Sequence, residues 1–524
     1  MKRFLTLLLL ILATMPFALH SQQSVTVNST DYSSYSIPIS GERANNYQKC
    51  HFVLPAENLT TIDGKLIYSL SFYSGSSSRT WTNGSFSVYL DEVNYTEMSD
   101  FADVSTTTRV YTGELSVVDR YMTVIFETPY KYQGGNLLVC FEQTVTTNNN
   151  NSANFYCSII NGKYPCVYGY DSNSLGDVTA TQSQYTPYTI IYYADSAIGN
   201  IYVKEGGSGD KSGFSWDNAS DNLDNAMALT KYYGKRPVWV AGGTYYGSGN
   251  SQNDVVTLLD GVNMYGGFAG NEPGNYDLSQ RDFTNNETIL DGQNSQRVVK
   301  QLSHFTDTTY FDGFTVQNGY KTSAYSPYTG GGMSLKGKVY VRNCVVKNNY
   351  CSYSNGGGIY IDAAEDCRAV VENCEISGNS TSTSYNQYGG GIYCNYAILK
   401  NNTVTGNTSR LSGGGIYAIN STITNCVVNS NTQSYNSQGG TGGGGMYVEN
   451  STVSNCTMHG NTGRFGGGIF GTASTITDCE ITDNIGYYGD GGGWFRTNTT
   501  LKIVYSQETT PHIQVVTVRT IVVQ

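Results

Sequence analysis

The sequence has 524 residues, of which 60 are glycine and 44 are tyrosine, and its net charge is −11 with only 14% charged residues. Such a chain is not expected to bind nucleic acid, because contacts to phosphate groups require a basic face. The length allows two or three domains, and the composition is typical of exported β-rich proteins.

The first 21 residues predict a signal peptide. Lys2 and Arg3 precede an apolar stretch from Phe4 to Leu19, and the small residue Ser21 follows it. This arrangement is typical of a secretory leader and is too short for a stable membrane span. No later segment has the roughly 18 consecutive apolar residues of a transmembrane helix. We therefore expect an extracellular protein or one at the outer cell surface.

Residues 24–195 alternate between apolar and polar positions, as Phe86, Val88 and Leu90 illustrate. Polar turn clusters separate these runs, so we expect an antiparallel β-sandwich with a role in binding or spacing. Four cysteines of this region are candidates for disulfide bonds in an exported protein, and the sequence leaves their pairing open: Cys50, Cys140, Cys157 and Cys166.

A second domain is predicted over residues 200–495, and it starts with a short helical pattern near 220–234. Ser220 is a suitable N-terminal cap for that helix and Gly234 is a suitable end. A repeat protein needs its open end covered, and an amphipathic helix over the first repeat does this.

Seven glycine runs then divide the chain into repeats of 23 to 33 residues, which is the range of solenoid proteins. Each run is followed by a bulky apolar residue: Met333, Ile359, Ile392, Ile416, Met446, Ile469 and Trp494. Each interval is expected to be one coil.

Two polar ladders and one thiol column recur in every coil. The thiol column contains Cys344, Cys374, Cys426, Cys456 and Cys479, with Asn402 in the place of a sixth cysteine. An asparagine or aspartate precedes each member and predicts a corner in the left-handed conformation. Five positions after the column lies an asparagine ladder: Asn349, Asn379, Asn407, Asn431, Asn461 and Asn484.

Three short parallel strands, two corners and one variable loop per coil predict a right-handed parallel β-helix, so the fold class is all-β. The five column cysteines are expected to form a buried thiol stack, because neighbours that point the same way strain a disulfide. Residues 496–524 lack the repeat, and we interpret them as an atypical, truncated or frame-shifted tail.

The opening of the second domain resembles bacterial pectate-lyase-like β-helix proteins in residues 201–203, 238–244, 265–268, 280–282, 289–292 and 312–314. The Gly-Gly-Gly-Ile runs with their asparagines are similar to the repeats of the polymorphic outer membrane protein family, although cysteine stands where that family has an aromatic residue. The resemblance implies the β-helix fold over residues 200–495. That fold hosts lyases, hydrolases and adhesins alike.

Candidate catalytic residues are few. Asp291 and Asp312 lie about one coil apart, with Arg297 or Arg281 as a candidate base. The alternative is that both aspartates shape turns before a glycine. The histidines suggest no metal pair, and no cofactor is expected.

A row of aromatic residues is the stronger functional signal. These residues follow the inward apolar position of successive coils: Tyr360, Tyr393, Tyr417, Tyr447 and Phe470. The row could bind a glycan or a host or cell-surface protein, or it could be a stacking ladder that stabilises the sheet.

We therefore expect an exported, adhesin-like binding or structural protein without catalytic activity. The alternative is a carbohydrate-active β-helix enzyme, either a polysaccharide lyase or a glycoside hydrolase. An inert surface-layer component is a third possibility. The sequence gives no indication of the oligomeric state.

Overall fold

A computed structural model describes residues 23–147, 150–247, 254–321, 330–382, 387–434, 442–488, 491–495, 499–502 and 521–523. The predicted signal peptide and most of the predicted tail lie outside the described residues. None of the described helices is long and apolar enough to cross a membrane.

The fold is all-β, as predicted: antiparallel sheets come first and a parallel β-helix follows them. Three antiparallel sheets form the first part of the chain. In spatial order the first contains Ser24–Val27, Thr189–Ala194, Leu66–Tyr73, Tyr121–Lys131, Ser116–Val118 and Arg79–Thr80. The second contains Thr181–Ser183, Cys166–Asp171, Tyr47–Leu54, Asn136–Val145, Ser85–Val93 and Thr108–Gly113. The third contains Tyr185–Pro187, Phe155–Ile159 and Tyr32–Ser34.

Four sheets run along the β-helix, three with strands of three to five residues and one with strands of two residues, and successive coils add strands to them. The first solenoid sheet contains Ile201–Val203, Val238–Ala241, Met264–Phe268, Thr309–Asp312, Val339–Arg342, Ala369–Glu372, Ala397–Lys400, Thr422–Thr424, Thr452–Ser454, Thr475–Thr477, Thr499–Lys502 and the antiparallel Ile521–Val523. The second contains Gly243–Tyr246, Thr288–Asp291, Thr315–Gln317, Val345–Lys347, Glu375–Ser377, Thr403–Thr405, Val427–Asn429, Thr457–His459 and Glu480–Thr482. The third contains Val256–Leu258, Val299–Gln301, Met333–Leu335, Ile359–Asp362, Ile392–Asn395, Ile416–Ile419, Met446–Glu449, Ile469–Thr472 and Gly493–Phe495.

The fourth, short solenoid sheet differs from the expectation of three strands per coil. Its strands have two residues each: Tyr320–Lys321, Tyr350–Cys351, Ser380–Thr381, Thr408–Ser409, Thr432–Gln433, Thr462–Gly463 and Ile485–Gly486. Each strand follows a corner at or near an asparagine of the ladder. The corner holds the next backbone groups in register with the coil before it, as when the Tyr350 N–H donates to the Gly319 carbonyl at 2.8 Å.

The corners before the thiol column have the left-handed backbone. Asn343, Asn373, Asn401, Asn425 and Asn455 have φ of 50° to 55°, a region that asparagine tolerates better than most residues. The glycine runs also begin with a positive φ, such as 65° at Gly413, and the glycines that follow meet a spatial limit. A Cβ on Gly415 would lie 2.8 Å from the Gly445 carbonyl oxygen, so a larger residue would push adjacent coils apart.

One α-helix, α1 (Leu223–Tyr233), lies within the described residues, together with short 3₁₀ turns at Gly41–Arg43, Ala56–Asn58, Thr60–Ile62, Val104–Thr106, Leu175–Asp177, Trp216–Asn218, Leu278–Gln280 and Glu365–Cys367. The cap of α1 is Asn222 and not Ser220, because the Asn222 side chain accepts the Asn225 N–H at 3.1 Å. The Tyr233 hydroxyl of α1 donates to the Tyr193 carbonyl at 3.1 Å. The helix thus joins the first coil to the outer face of the sandwich.

All twelve cysteines are buried and free. Burial raises the pKa of the Cys351 and Cys394 thiols to about 12. We expect the native protein to react slowly with a thiol reagent such as dithionitrobenzoate and to react rapidly after denaturation, because the thiolate is the reactive form. Rapid labelling of Cys351 or Cys394 in native protein would contradict this packing.

Candidate active site

Asp312 ends a strand of the first solenoid sheet and lies in a closed ion cluster. Its carboxylate is 3.2 Å from Arg281 Nη2 and 2.9 Å from Arg342 Nη2, and the Asn343 side chain donates to it at 2.8 Å. The side chains of Asp312 and Arg281 are only 2% and 4% exposed. Both carboxylate oxygens of Asp312 therefore have partners. The ion pair with Arg281 attaches the loop that contains Arg281 to the sheet.

Asp291 lies in the second solenoid sheet, on the other side of a corner from Asp312. Its carboxylate accepts hydrogen bonds from the Gln317 and Asn318 side chains at 2.8 Å and from the Gln293 N–H at 2.7 Å. These bonds are those of a residue that shapes a turn and ties it to the next coil. Within the described residues, no hydrogen bond or ion pair joins Asp291 to Asp312.

Arg297 pairs with a residue that the sequence analysis did not select. Its Nε is 2.7 Å from Asp254 Oδ1, and Lys300 Nζ is 3.5 Å from Asp254 Oδ2. The Arg297 and Asp254 side chains are 2% and 6% exposed, whereas that of Lys300 is 31% exposed. The Val255 N–H donates to the Arg297 carbonyl at 3.1 Å, so the pair joins adjacent coils.

Lys321 lies on the next coil. The N–H of Tyr320 donates to the Gln296 carbonyl at 2.9 Å, a register that places Tyr320 beside Arg297 and Lys321 beside Val298 along the solenoid axis. Arg297 is still close enough for its charge to act on the Lys321 ammonium. On the following coil, the buried Cys351 is the residue that lies beside Lys321 in the register of the fourth solenoid sheet. A lysine therefore occupies an inner column that later coils fill with small or uncharged residues.

Some polar atoms of three side chains in this region lack hydrogen-bond partners within the part of the chain that the structure describes. Arg297 Nη1 and both amide atoms of Gln296 are buried without one. The Lys321 ammonium has neither a hydrogen bond nor an ion pair among those residues, although Lys321 is only 9% exposed. Unpartnered buried polar groups are costly, and they commonly mark a binding or catalytic site.

Burial and the charges of this cluster lower the pKa of one titratable group and raise the pKa of another. Burial lowers the pKa of Lys321, and the charges of Arg297 and Lys300 lower it further against the opposing effect of Asp254. The pKa of Asp224, in the first turn of α1, is raised by the loss of surrounding water and by the Asp254 charge, although part of its side chain reaches solvent. A weakened acid and a weakened cation, each of which interacts with Asp254, are suited to proton transfer.

A cavity of about 220 Å³ lies at the N-terminal end of α1, and its lining includes Asn222, Leu223 and Tyr246. The residues of the charged cluster do not line it. A Cβ on Gly247 would lie 2.0 Å from Gln296 Nε2, so this glycine lets the second coil pack closely against the first. We define the cationic corner as Asp224, Asp254, Arg297, Lys300 and Lys321.

The predicted aromatic row lies along the third solenoid sheet. Successive ring centroids, from Tyr360 through Tyr393, Tyr417 and Tyr447 to Phe470, are 5.2, 5.2, 4.5 and 5.3 Å apart, with interplanar angles of 4° to 8°. Each ring covers the face of its neighbour, and Phe470 is only 1% exposed. The row presents ring edges to solvent more than faces.

The asparagine ladder and the thiol column that the sequence predicts are both buried in the β-helix. The asparagine ladder, Asn349 to Asn484, is buried and continuous. The thiol column, Cys344 to Cys479, is buried beside it. Among the described residues, no three His, Cys, Asp or Glu side chains are grouped closely enough to hold a metal ion.

Sequence reasoning selected Arg297 but missed Asp254, Lys300, Lys321 and Asp224. The available signal was Lys321, which interrupts the inner column that Cys351, Thr381 and Ser409 continue. Asp254 and Asp224 carried no such signal, because Asp254 belongs to no repeated column of the sequence and Asp224 is in the first turn of a helix, where acids are common.

No protein-family model matches the sequence, and no curated protein is detectably similar to it. Among solved structures, the Agl-KA catalytic domain is 11% identical, with 93% of this chain and 99% of that chain covered and a TM-score of 0.22. The catalytic unit of a thermostable GH87 α-1,3-glucanase from Streptomyces thermodiastaticus is 10% identical, with 92% and 91% covered and a TM-score of 0.18. The A-module of a mannuronan C-5 epimerase from Azotobacter vinelandii is 12% identical, with 59% and 83% covered and a TM-score of 0.24.

These matches contradict the expectation of an adhesin-like protein without catalytic activity. They are catalytic units of carbohydrate-active enzymes, which was the alternative interpretation. At such identities the likeness concerns the fold alone. The chemistry of this protein must therefore be argued from its own residues.

Proposed function

We propose that the protein is a carbohydrate-active enzyme that cleaves an acidic polysaccharide by β-elimination at the cationic corner. The observation that carries the proposal is the Lys321 ammonium, which has no hydrogen bond or ion pair among the described residues although Lys321 is only 9% exposed. Burial and the charges of Arg297 and Lys300 lower its pKa. A lyase needs a base at that place and cations for the substrate carboxylate. The corner supplies Lys321 as the base and two cations, Arg297 and Lys300, that pair with Asp254, in a chain whose net charge is −11.

The residues have separate roles in this proposal. Lys300, the most exposed cation of the ion cluster, contacts the uronate carboxylate and stabilises the negative charge that develops on it. Arg297 is a positioning residue, because its guanidinium is buried against Asp254. Lys321 in its neutral form removes the proton from the carbon next to the carboxylate.

The bond changes then balance without a co-reactant. The electron pair of the broken C–H bond forms a carbon–carbon double bond as the glycosidic carbon–oxygen bond breaks. The leaving oxygen takes a proton from Asp224, whose raised pKa keeps more of it in the acid form. The products are one chain with an unsaturated end and one with a new hydroxyl group.

The direct test is incubation with uronate polymers such as polygalacturonate and alginate, and with neutral glucans, followed by the ultraviolet absorbance of unsaturated products. We expect absorbance to rise with a uronate polymer and to be lost with Lys321→Ala. Lys231→Ala is the matched control, because Lys231 is an exposed lysine on α1. Absence of cleavage of every uronate polymer would contradict the proposal.

The pH dependence follows from the lowered pKa of Lys321. Only the neutral amine accepts a proton, and its fraction grows as pH rises through the folded pKa. The leaving oxygen also needs the protonated form of Asp224, so we expect a bell-shaped dependence of kcat/KM on pH in the wild type. In Asp224→Asn, which removes the acid, the residual kcat/KM should rise with pH and reach half its limit below about 10.4, the ordinary pKa of lysine. A residual rate of Asp224→Asn that falls as pH rises would exclude Lys321 as the base.

A glycoside hydrolase is the second candidate, and the pair Asp224 and Asp254 favours it. Asp254 forms ion pairs with Arg297 and Lys300, whereas the pKa of Asp224 is raised by the loss of surrounding water. Two carboxyl groups in unequal environments are the requirement for glycoside hydrolysis. New reducing ends without ultraviolet absorbance, lost in Asp224→Asn, would identify this reaction.

We also propose that the enzyme acts outside the cell. The leader-like composition of residues 1–21 supports export.

A further inference from the structure

The outer face of the first sandwich sheet carries tyrosines that α1 only partly covers. Tyr73 and Tyr121 face each other across adjacent strands. Side chains alternate between faces, so both point away from the core residues Phe72 and Met122. Helix α1 covers the neighbouring part of this face, where Tyr232 stacks on Tyr192 at 4.2 Å.

Four tyrosines form a continuous surface beyond the helix, which we call the tyrosine surface: Tyr73, Tyr121, Tyr156 and Tyr188. The Tyr73 ring centroid lies 5.2 Å from that of Tyr121, 5.0 Å from that of Tyr156 and 6.2 Å from that of Tyr188. Tyr121 is 36% exposed, and the other three are partly exposed.

The hydroxyl groups of these tyrosines are not used by the fold. None of the four makes a hydrogen bond within the described part of the chain, in contrast to the buried hydroxyl of Tyr233. Burial raises the pKa of Tyr121, and the nearby Tyr188, Tyr73 and Tyr232 hydroxyls raise it further. The surface therefore offers ring carbons and unengaged phenol groups side by side.

We propose that the tyrosine surface binds sugar units of the glycan chain that is cleaved at the cationic corner. A sugar ring presents C–H groups on its faces and hydroxyl groups at its edge, which match an aromatic ring with a free hydroxyl. A protein partner fits less well, because stable interfaces bury about 800 Å² on each side and four partly covered rings provide much less.

The position of α1 connects this surface with the cationic corner. Asp224 lies in the first turn of the helix and Tyr232 in its last turn. Eight residues separate them, which is about 12 Å at the rise of an α-helix. A glycan chain of a few units can therefore reach from one to the other. This inference rests on the proposed function for the identity of the glycan.

Affinity electrophoresis tests the inference without turnover. Lys321→Ala protein is run through gels that contain polygalacturonate, alginate or a neutral glucan, and it is compared with the same protein carrying Tyr73→Ala and Tyr121→Ala. We expect retardation in at least one gel and about tenfold weaker binding in the tyrosine variant. Tyr95→Ala is the matched control, because Tyr95 is 38% exposed elsewhere on the sandwich.

The outcomes separate this inference from the proposed function. Retardation that depends on Tyr73 and Tyr121 supports the surface even when no polymer is cleaved. Equal retardation of the tyrosine variant and of the Tyr95→Ala control overturns the inference, and so does lack of retardation in every gel. Cleavage of a polymer by the wild type would in those cases leave the proposed function standing.

Discussion

Replacing Lys321 with methionine is expected to lower turnover about a thousandfold and to raise the free energy of unfolding at neutral pH by about 1 kcal/mol. Turnover falls because the base is removed. Stability rises because the side chain is 9% exposed and its ammonium has no partner among the described residues. Methionine fills the same volume without a charge, and uncompensated buried charges destabilise a fold.

The pH dependence of this stability gain has a defined sign. The folded protein holds the Lys321 proton less tightly than the unfolded chain does, because the folded pKa is lowered. The unfolded state therefore binds more protons between the folded pKa and about 10.4, and the wild type gains stability as pH rises through that interval. The gain in free energy of unfolding of Lys321→Met over the wild type should be largest below the folded pKa of Lys321 and should vanish at higher pH.

Urea unfolding at several pH values, together with the absorbance assay, measures both effects. The control is Lys231→Met, a substitution at an exposed position of the helix. It should change the free energy of unfolding by no more than about 0.5 kcal/mol and turnover by no more than about twofold. A destabilised Lys321→Met variant that still turns over would exclude both the catalytic role and the strained environment of this lysine.

The sequence was sufficient to predict the β-helix because every coil repeats the same corner residues and the same inward-facing positions. Asparagines at φ near 50° mark the corners, and the inner columns are apolar or thiol on coil after coil. The fourth short sheet was missed because two residues are too few to show an alternating pattern. It is defined only when adjacent coils are in register.

The cationic corner was harder to predict because its residues come from different parts of the coil. Asp254, Arg297 and Lys321 lie on three successive coils, and Asp224 lies on α1. Variable loops separate them in the sequence, so no fixed spacing joins them. Asp291 and Asp312 were selected because each precedes a glycine, a pattern that turns share with active sites.

The adhesin interpretation depended on treating the aromatic row as an open surface. A residue after an inward-facing one does point outward in a strand, and this part of the reasoning holds. In a parallel in-register stack, however, identical rings lie about one strand spacing apart and cover each other. The distances of 4.5 to 5.3 Å along the row leave little ring face for a ligand.

Asn407→Ala is expected to destabilise the β-helix by about 3–5 kcal/mol. Asn407 is fully buried. Its side-chain oxygen accepts the Asn379 N–H at 2.9 Å and the Asn379 side chain at 3.0 Å. Its nitrogen donates to the Ile376 carbonyl at 2.9 Å and to Asn431 at 3.0 Å. Alanine removes all four bonds and admits no replacement from solvent.

Two further variants separate lost hydrogen bonds from lost volume. Asn407→Asp keeps the size but cannot donate when ionised, so its folded pKa should be raised, and its stability should be greatest at low pH and decline as pH rises. Thr403→Ala changes an exposed strand residue of the same coil and should cost about 0.5 kcal/mol or less. Urea unfolding followed by circular dichroism measures all three. If Asn407→Ala were as stable as Thr403→Ala, the ladder would not be a main source of stability, and coil stacking would depend on the apolar and thiol columns alone.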